Sequence, residues 1–332
     1  MEFLMNKIAV QGPITVVFAT DNAYCQHLAV TILSLIEHNS TEAFDLIVLS
    51  REVTDFHKNH LFKIIQEKTR VSLKFIELGS SCDGSFFIDG HVSVATYARI
   101  FIPQMIGPEI NKVLYLDCDL YVADSIRPLW ETNIMDYALA GVEELVNPRR
   151  KSLGIPENKP YVNAGVLLIN LDAWRTQDLT NALVHFIENN TGLLTYHDQD
   201  ALNAVLFNQI LYLNPRWNVS YSYSHNLFYV KAEQIRSKTE KQQCLTEEPG
   251  IVHFTTDYKP WHYLNPNPYR HHYWRLLKTT PYQNYRPPLR SAFKFLPVKL
   301  RPQSMLATLF PKKRRSSENV RHRKAHDEPA SD

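Results

Sequence analysis

Two aspartates, Asp117 and Asp119, follow an apolar stretch, and their type and spacing suggest chemistry. The stretch, residues 113–116, is apolar without alternation, which predicts a strand covered on both faces of an α/β sheet. Side chains two residues apart on an extended chain point the same way, so the carboxylates are expected to converge. A divalent cation would relieve their repulsion. The structural alternative is that one aspartate caps a helix and the other closes a turn.

A histidine much later in the chain could complete a cation site. His253 lies in a short predicted strand that starts at residue 251 and enters a loop containing Lys259 and His262. A lone histidine is more often structural than a ligand. Together with the two aspartates, it gives nitrogen and oxygen ligands that hard or borderline divalent ions accept.

One arginine, Arg99, lies in a predicted apolar helix that begins near residue 91 and extends to residue 102. A buried arginine most often forms a structural ion pair. Its position shortly before Asp117 also makes it a candidate for ligand binding, so the sequence leaves both roles open.

Small and polar residues open two later elements. Residues 163–165, Asn-Ala-Gly, head a predicted buried strand, and small residues let the backbone approach a ligand. Residues 196–207 are predicted to form a helix whose first turn crowds Asp198, Gln199 and Asp200. The structural alternative is that Asp198 caps this helix.

The elements that must position these side chains begin with a regular alternation. Apolar runs at residues 14–21, 44–49 and 71–76 predict strands, and residues 23–38 and 55–69 have helical spacing. This order predicts a parallel sheet with right-handed crossovers, and ligands bind at the carboxyl ends of such strands. No Gly-x-Gly-x-x-Gly or Walker sequence follows the first strand, so phosphates must be held in another way.

A charged stretch with Pro and Gly, residues 143–160, is predicted as a loop near this edge of the sheet. A loop of that length is either a lid or solvated surface.

Composition and charge divide the chain into two parts. Its 332 residues, 44% hydrophobic and 21% charged, suffice for one large α/β domain with an appendage. Residues 286–332 carry 12 Lys and Arg against 4 Asp and Glu, a net charge of +8, whereas residues 1–285 carry −6. We therefore predict a globular domain over residues 1–285 and a basic tail over residues 286–332.

The cysteines are scattered without the paired spacing of zinc or redox sites, which predicts reduced thiols in a cytoplasmic protein. The N-terminal residues are too short and too polar for a signal peptide, and no apolar run approaches about 20 residues. We expect no membrane-spanning segment.

Six segments follow one another in an informative order. They are residues 18–21 (FATD), 96–99 (TYAR), 113–119 (VLYLDCD), 163–171 (NAGVLLINL), 198–203 (DQDALN) and 253–262 (HFTTDYKPWH). Together they resemble glycosyltransferase family 8, closest to bacterial lipooligosaccharide and lipopolysaccharide galactosyl- and glucosyltransferases and more distantly to glycogenin. The resemblance spans residues 14–280. It implies a GT-A catalytic domain that transfers a hexose from UDP-galactose or UDP-glucose with retention of anomeric configuration. The implied metal is Mn²⁺, with Mg²⁺ as the alternative.

The resemblance also implies a role for each candidate residue, by position. Asp117, Asp119 and His253 correspond to metal ligands, Lys259 to a diphosphate contact, Asp21 to a uracil and ribose contact, and Arg99, Asn163, Ala164 and Asp198 to donor-sugar contacts. Gln199 falls where the family's candidate for stabilising or attacking the anomeric centre lies. Ala23 and Thr256 replace an Asn and a Gly that are common in the family. These changes are expected to alter nucleotide affinity or the phosphate loop without removing activity.

The residue types agree with the implied chemistry. A metal and Lys259 at the diphosphate stabilise the leaving UDP without proton transfer. Gln199 is a poor nucleophile, and helix geometry turns Asp198 and Asp200 about 100° away from its face. Front-face attack by the acceptor hydroxyl on a short-lived oxocarbenium–UDP ion pair is therefore favoured over a covalent glycosyl-enzyme.

Two alternatives to a transferase stay open. A metal-dependent UDP-sugar hydrolase would share the donor site, whereas a non-catalytic protein would bind through the basic tail and not need the aspartates. The favoured function is hexose transfer to a glycan or glycolipid acceptor, in lipopolysaccharide, lipooligosaccharide or other cell-surface glycan synthesis.

Basic and apolar residues are interleaved from residue 286 to residue 301, and a basic cluster follows at residues 312–315. This pattern suits an anionic membrane surface, where each nearby Lys or Arg contributes about 1 kcal/mol. Pro297 and Pro302 exclude one long helix, so short segments are expected. A solvated, disordered tail is the alternative. Nucleic acid is not an expected partner because no base-reading module accompanies the charge. We expect peripheral attachment at the inner face of the cell membrane.

Overall fold

The computed structural model describes residues 12–79, 94–144, 149–159, 161–222, 227–228, 248–255, 259–263, 265 and 267–288. Internal contacts divide the chain into Met1–Pro287 and Pro288–Asp332. Apart from residues 286–288, the predicted basic tail lies outside the described residues.

The first part of the fold is the predicted parallel alternation. Strands β1 (Ile14–Thr20), β2 (Phe44–Ser50) and β3 (Val71–Glu77) pair in parallel, with helices α1 (Cys25–His38) and α2 (Asp55–Ile65) between them. The three strand predictions are confirmed. Helix α2 ends earlier than residue 69, because the chain turns after Ile65 to enter β3.

The predicted strand before the aspartates is divided between two sheets. Strand β4 (Lys112–Leu116) pairs in parallel with β1, and the chain then bends at residues 117–119. Strand β5 (Leu120–Val122) belongs to a second sheet. The aspartates therefore lie at a bend between sheets, and the expectation of an extended chain through them is wrong.

The large sheet continues with mixed pairing. Strands β6 (Leu139–Glu143), β7 (Val162–Asn170) and β8 (Ile210–Tyr212) complete seven strands in the order β3-β2-β1-β4-β7-β6-β8. Strand β7 is antiparallel to both β4 and β6, so its first residues lie beside the end of β4. This places residues 163–165 next to Asp117.

A smaller sheet completes the site. It has the order β10-β9-β11-β5, with β9 (Val219–Ser222), β10 (Leu227–Phe228) and β11 (Ile251–His253). Strand β11 pairs antiparallel with β5, and His253 stands opposite Leu120.

The segment that carries Arg99 is helical, as predicted, and forms a 3-10 helix over Val94–Phe101. It is rich in β-branched and aromatic residues, which lose side-chain freedom in an α-helix. The α-helices that follow it are α3 (Ile102–Met105), α4 (Arg127–Trp130), α5 (Leu171–Thr176), α6 (Leu179–Asn189), α7 (His197–Leu206) and α8 (Arg270–Leu277). None of the helices in the described ranges combines the length and apolar character needed to cross a membrane.

The central strands of the large sheet are buried on both faces, which explains their nearly uninterrupted apolar sequences. Val16 and Phe18 pack in a cluster with α1, whereas their neighbour Val17 packs on the other face with Tyr97 and Ile100 of the 3-10 helix.

The described part of the predicted lid is packed rather than free. Leu153 and Ile155 are buried with Tyr161 in a small apolar cluster, and Arg150 pairs with Glu143 at 2.7 Å. Residues 149–155 are therefore anchored to the body. Residues 145–148 and 160 lie outside the described residues.

Candidate active site

Backbone and hydroxyl contacts hold the bend that carries the two aspartates. The Asp117 N–H donates to the carbonyl of Gly165 at 2.9 Å, which ties the bend to β7. Thr31 of α1 holds the other side, because its Oγ1 lies 2.8 Å from the Cys118 carbonyl and accepts the Leu120 N–H at 3.2 Å.

His253 reaches this bend from the end of β11. The N–H of Phe254 donates to the Asp119 carbonyl at 3.0 Å, which fixes the strand end beside the bend. His253 Nε2 lies 3.4 Å from Asp119 Oδ1 and 3.7 Å from Asp117 Oδ2. One ligand atom from each of the three residues lies within 4.8 Å of the others. We call this set the carboxylate–histidine cluster.

A glycine makes room for the cluster. A Cβ at Gly165 would stand 2.2 Å from Cε1 of His253 and 2.8 Å from Oδ2 of Asp117. Real Cβ atoms do not approach other atoms so closely, so the imidazole packs here only because residue 165 has no side chain. The Asn-Ala-Gly step was predicted to admit a ligand; at Gly165 it admits the His253 ring.

Lys259 brings a positive charge to the edge of the cluster. Its Nζ lies 2.5 Å from Asp119 Oδ2 and donates to the carbonyl of Phe254 at 2.7 Å. Burial alone would raise the pKa of Asp119, but the Lys259 ammonium outweighs burial and holds that pKa well below its usual range. Asp119 is therefore an anion in the folded chain.

Arg99 connects the cluster to α7. Its Nη2 lies 3.2 Å from Asp117 Oδ1, and its Nη1 donates to the carbonyl of Ala164. Its Nε lies 2.8 Å from Asp198 Oδ2, an ion pair whose alignment falls short of a hydrogen bond. Burial opposes the charge on Arg99, yet Asp198, Tyr115 and Asp117 raise its pKa. Arg99 forms the buried ion pair and also faces the site.

The two aspartates of α7 have different surroundings. Asp200 accepts from Tyr161 Oη at 2.6 Å and from the N–H groups of Thr195 and Tyr196 at 2.7 and 2.9 Å. The structural role considered for Asp198 thus belongs to Asp200, which ties down the turn before α7. Burial raises the pKa of Asp198 to about 6, although Arg99 counteracts it.

Gln199 is fixed at both ends of its amide. Its Oε1 accepts the N–H of Ala164 at 2.9 Å, and its Nε2 donates to Tyr161 Oη at 3.2 Å. Both backbone polar groups of Ala164 are thereby bonded within the protein, to Gln199 and Arg99. We refer to Arg99, Ala164, Asp198 and Gln199 as the Gln199 cluster.

Asn218, at the end of a 3-10 helix (Pro215–Asn218), carried no signal in the sequence. Its Oδ1 lies 2.9 Å from Nδ1 of His253, and its Nδ2 donates to Asn163 Oδ1 at 2.9 Å. Tyr115 was also missed, because it lies within the apolar strand β4. Burial raises the pKa of Tyr115, so its hydroxyl stays protonated and donates to Asp117 Oδ1 at 2.9 Å.

Asp21 lies at the end of β1 and closes the turn before α1. Its Oδ1 accepts the N–H groups of Ala23 and Tyr24 at 2.9 and 3.2 Å. The Tyr24 ring is 38% exposed and meets the Trp261 ring edge to face. A uracil and ribose contact for Asp21 stays a prediction.

The carboxylate–histidine cluster fits a divalent cation. Two carboxylate oxygens and an imidazole nitrogen converge, the imidazole is 4% exposed, and its far nitrogen is held by Asn218. Mn²⁺ and Mg²⁺ accept such oxygen-rich ligand sets, and Mn²⁺ also suits the nitrogen. Within the described residues, this is the one group of His, Cys, Asp and Glu side chains placed to hold an ion.

Comparison with known proteins identifies the family of this chain. Residues 15–265 match the profile of Glycosyl transferase family 8. General stress protein A of Bacillus subtilis strain 168 is 30% identical over 270 residues, covering 80% of this chain and 93% of that protein. Lipopolysaccharide 1,2-glucosyltransferase of Escherichia coli K12 is 24% identical over 298 residues, covering 86% and 84%.

A solved structure shares the fold. The galactosyltransferase LgtC, in complex with donor and acceptor sugar analogs, gives a TM-score of 0.72 at 25% identity and covers 81% of this chain and 96% of its own. The predicted GT-A fold is thereby confirmed. The family match spans well over half of the sequence, and the chain belongs to glycosyltransferase family 8.

Proposed function

We propose that this glycosyltransferase moves galactose or glucose from a UDP-sugar to a glycan acceptor with retention of anomeric configuration. The observation that carries the proposal is the convergence of Asp117, Asp119 and His253 within 4.8 Å, with Lys259 at the edge. These three residues would hold Mn²⁺, or Mg²⁺. A divalent ion there supplies a Lewis acid that stabilises charge developing on the diphosphate.

The chain's own cations would share this task. Lys259 stands beside Asp119, so its ammonium is placed to meet a phosphate oxygen of a bound nucleotide. Tyr24 offers a partly exposed aromatic face beyond the end of β1, which suits stacking on a base. With Asp21 in the same turn, this edge of the sheet would hold the uracil and ribose.

The Gln199 cluster would hold the donor sugar. A sugar attached to the diphosphate would extend from the carboxylate–histidine cluster towards Asp198 of α7. The residues that lie between the two are Arg99, Asn163 and Ala164. Their polar groups orient one another, as in the contacts of Arg99 with Ala164 and Asp198. Such a rigid wall keeps the sugar oriented while its bond to phosphate breaks.

Front-face attack by the acceptor hydroxyl is the mechanism that these contacts favour. Gln199 is neutral and its Oε1 already accepts the Ala164 N–H. Asp200 accepts three hydrogen bonds, and Asp198 is held by Arg99. A covalent glycosyl-enzyme would require one of these side chains to leave its partners. We therefore propose that Gln199 stabilises the anomeric centre without bonding to it.

The test is a panel of UDP-sugars with Mn²⁺, read by UDP release, followed by an acceptor screen. We expect UDP-galactose or UDP-glucose to be turned over faster with acceptor, and NMR of the product to show a retained anomeric configuration. Full-rate UDP release without acceptor would instead indicate a sugar-nucleotide hydrolase. An inverted product would contradict the proposed mechanism.

The acceptor class follows from relatives and from the tail. Relatives named for lipopolysaccharide glucosyl transfer support a lipopolysaccharide, lipooligosaccharide or other cell-surface glycan acceptor. We propose residues 1–285 as the catalytic domain and residues 286–332, with a net charge of +8, as an attachment to the anionic inner face of the cell membrane from the cytoplasm.

Liposome co-sedimentation tests this attachment. The full chain should bind vesicles with anionic lipid more strongly than a chain ending at residue 285, and the difference should shrink as salt is added. Equal sedimentation of the two, or binding insensitive to lipid charge and salt, would contradict the membrane role.

A further inference from the structure

A row of side-chain amides leads from a carboxylate to the His253 ring. Glu144 Oε2 accepts from Asn163 Nδ2 at 2.9 Å, Asn163 Oδ1 accepts from Asn218 Nδ2 at 2.9 Å, and Asn218 Oδ1 lies 2.9 Å from His253 Nδ1. Asn218 and His253 are only 8% and 4% exposed, so water does not readily replace these bonds. We call this row the amide relay.

The direction of the relay is fixed independently at two points. The backbone N–H of Gly165 contacts Asn163 Oδ1 at 2.9 Å, and a backbone N–H can only donate. The atom facing Gly165 is therefore the amide oxygen. The other end of the same amide faces Glu144, whose ionised carboxylate can only accept. Both neighbours require the same orientation of Asn163.

The orientation of Asn163 determines that of Asn218, and Asn218 in turn determines which imidazole nitrogen carries the proton. Since Asn163 presents an oxygen, Asn218 must turn its NH₂ towards it, which leaves Asn218 Oδ1 facing His253. An amide oxygen accepts, so Nδ1 of His253 must carry the proton. In a neutral imidazole the lone pair then belongs to Nε2, the nitrogen that faces Asp119 and Asp117.

We propose that Asn163 and Asn218 are positioning residues that fix the His253 tautomer, so that the Nε2 lone pair points to the cation position. This inference rests on the proposed metal site, and it gives Asn163 a role beyond the donor-sugar contact implied by the resemblance. Loss of a group that orients a metal-binding histidine typically lowers metal affinity about 10- to 100-fold.

The tautomer is measured without metal, on the full chain labelled with ¹⁵N-histidine and treated with EDTA. Long-range ¹H–¹⁵N NMR above neutral pH distinguishes the nitrogen that carries the proton, and a His253→Gln chain identifies the His253 signals. We expect Nδ1 protonated and Nε2 bare. A wild-type chain with the proton on Nε2 would overturn the relay.

Three variants test its direction. Asn218→Asp keeps an acceptor for Nδ1–H, so it should keep the tautomer, whereas Asn218→Leu removes the acceptor and should give a mixture. Mn²⁺ affinity, measured by EPR with UDP present, should fall about 10- to 100-fold in Asn218→Leu. Asn163→Leu should also mix the tautomers, although Asn163 does not touch the ring, because Asn218 is then free to flip.

The matched control is Asn39→Leu. Asn39 is an amide of similar burial, 4% exposed, that bonds to Ile126 and Leu35 away from the site. It should keep the wild-type tautomer and Mn²⁺ affinity, and circular dichroism checks the folding of every variant. If Asn218→Leu folds and keeps both the single tautomer and the wild-type affinity, the relay is wrong. A wild-type chain with the expected tautomer but no Mn²⁺ binding would support the relay and contradict the proposed metal site.

Discussion

The carboxylate–histidine cluster and the Gln199 cluster are neighbours with opposite electrostatic design. In the first, ligand atoms from Asp117, Asp119 and His253 face one another within 4.8 Å. In the second, polar groups meet complementary protein partners, as Gln199 does at both ends of its amide. Converging ligand atoms leave a position that suits an added cation, although Lys259 and Arg99 already offset part of the negative charge, whereas paired groups hold their own shape. Under the proposed function, the site would divide into an ion-binding half and a rigid half that orients the sugar.

Arg99 joins the halves, because its guanidinium contacts both Asp117 and Asp198. Its charge limits the repulsion between these carboxylates. If the comparison is correct, substitutions in the carboxylate–histidine cluster should act through metal binding. Substitutions in the Gln199 cluster should slow the chemical step and leave metal binding unchanged.

The largest effect is expected from Asp119→Asn, which keeps the shape but removes an anionic ligand. We expect kcat/KM to fall by at least about 10³-fold and Mn²⁺ binding to be lost, because the metal's contribution is several kcal/mol. UDP release and EPR measure the two quantities. Asp136→Asn, at an exposed position, is the control and should behave as wild type. Full activity of Asp119→Asn, or of EDTA-treated wild type, would contradict the assignment of metal binding to the carboxylate–histidine cluster.

Gln199→Ala should lower kcat by about 10²-fold, because it removes a preorganised dipole beside the sugar. Its affinity for UDP and Mn²⁺ should stay within about 2-fold of wild type, since the metal ligands are untouched. Lys259→Ala should change both kcat and UDP affinity. Calorimetry with UDP and steady-state kinetics at saturating donor separate these outcomes, with exposed Gln177→Ala as control. An unchanged kcat would remove Gln199 from the mechanism.

Gly165→Ala tests the comparison by adding a methyl group to the backbone beside the carboxylate–histidine cluster. The new Cβ would stand 2.2 Å from His253 Cε1, so the imidazole must move and Mn²⁺ affinity should fall about 10-fold or more. Gly192→Ala is a matched control, because a Cβ there meets nothing within 4 Å. EPR titration of both folded variants measures the difference. Equal affinities would show that the ring tolerates displacement.

The smallest effect concerns stability and pH. The folded pKa of Asp198, about 6, lies above its ordinary value of 3.8, so between these values the folded chain binds more protons than the unfolded chain. Stability should therefore fall as pH rises from 4 to 6, by at most about 1.4 kcal/mol per pH unit from this group. Asp198→Asn should lack this component. Urea unfolding in EDTA at several pH values measures it, and parallel curves for both chains would contradict it.

How far the sequence predicts this molecule depends on whether a signal is local. Strands β1 and β2 are predictable because burial on both faces leaves nearly continuous apolar runs, whereas the edge strand β3 alternates apolar with exposed polar residues. The convergence of Asp117 and Asp119 was also predicted, but from extended-chain alternation. In the structure, a bend between two sheets produces it, held by Gly165 and Thr31 from distant segments.

The relay residue Asn218 shows the opposite case. It follows Pro-Arg-Trp at the end of a short 3-10 helix, and its proposed role depends on the partners Asn163 and His253, each far away in the sequence. Neither the periodicity of apolar residues nor the spacing of motifs predicts such a distant partner. Gly165 did give a signal, a small residue at a strand start, yet that signal cannot tell whether a ligand or a side chain fills the space.

His253 ends strand β11 and Lys259 lies in the loop after it, and this late position in the chain has a consequence during synthesis. Lys259 and its partner Asp119 are 140 residues apart in the chain. At about 5 to 20 residues per second, the ribosome needs roughly 7 to 28 s between them. The early strands β1, β2 and β4 can pair in that interval, while Asp119 still lacks its neutralising neighbour. A nascent chain that ends before residue 250 lacks both His253 and Lys259 and is thus expected not to bind UDP with Mn²⁺.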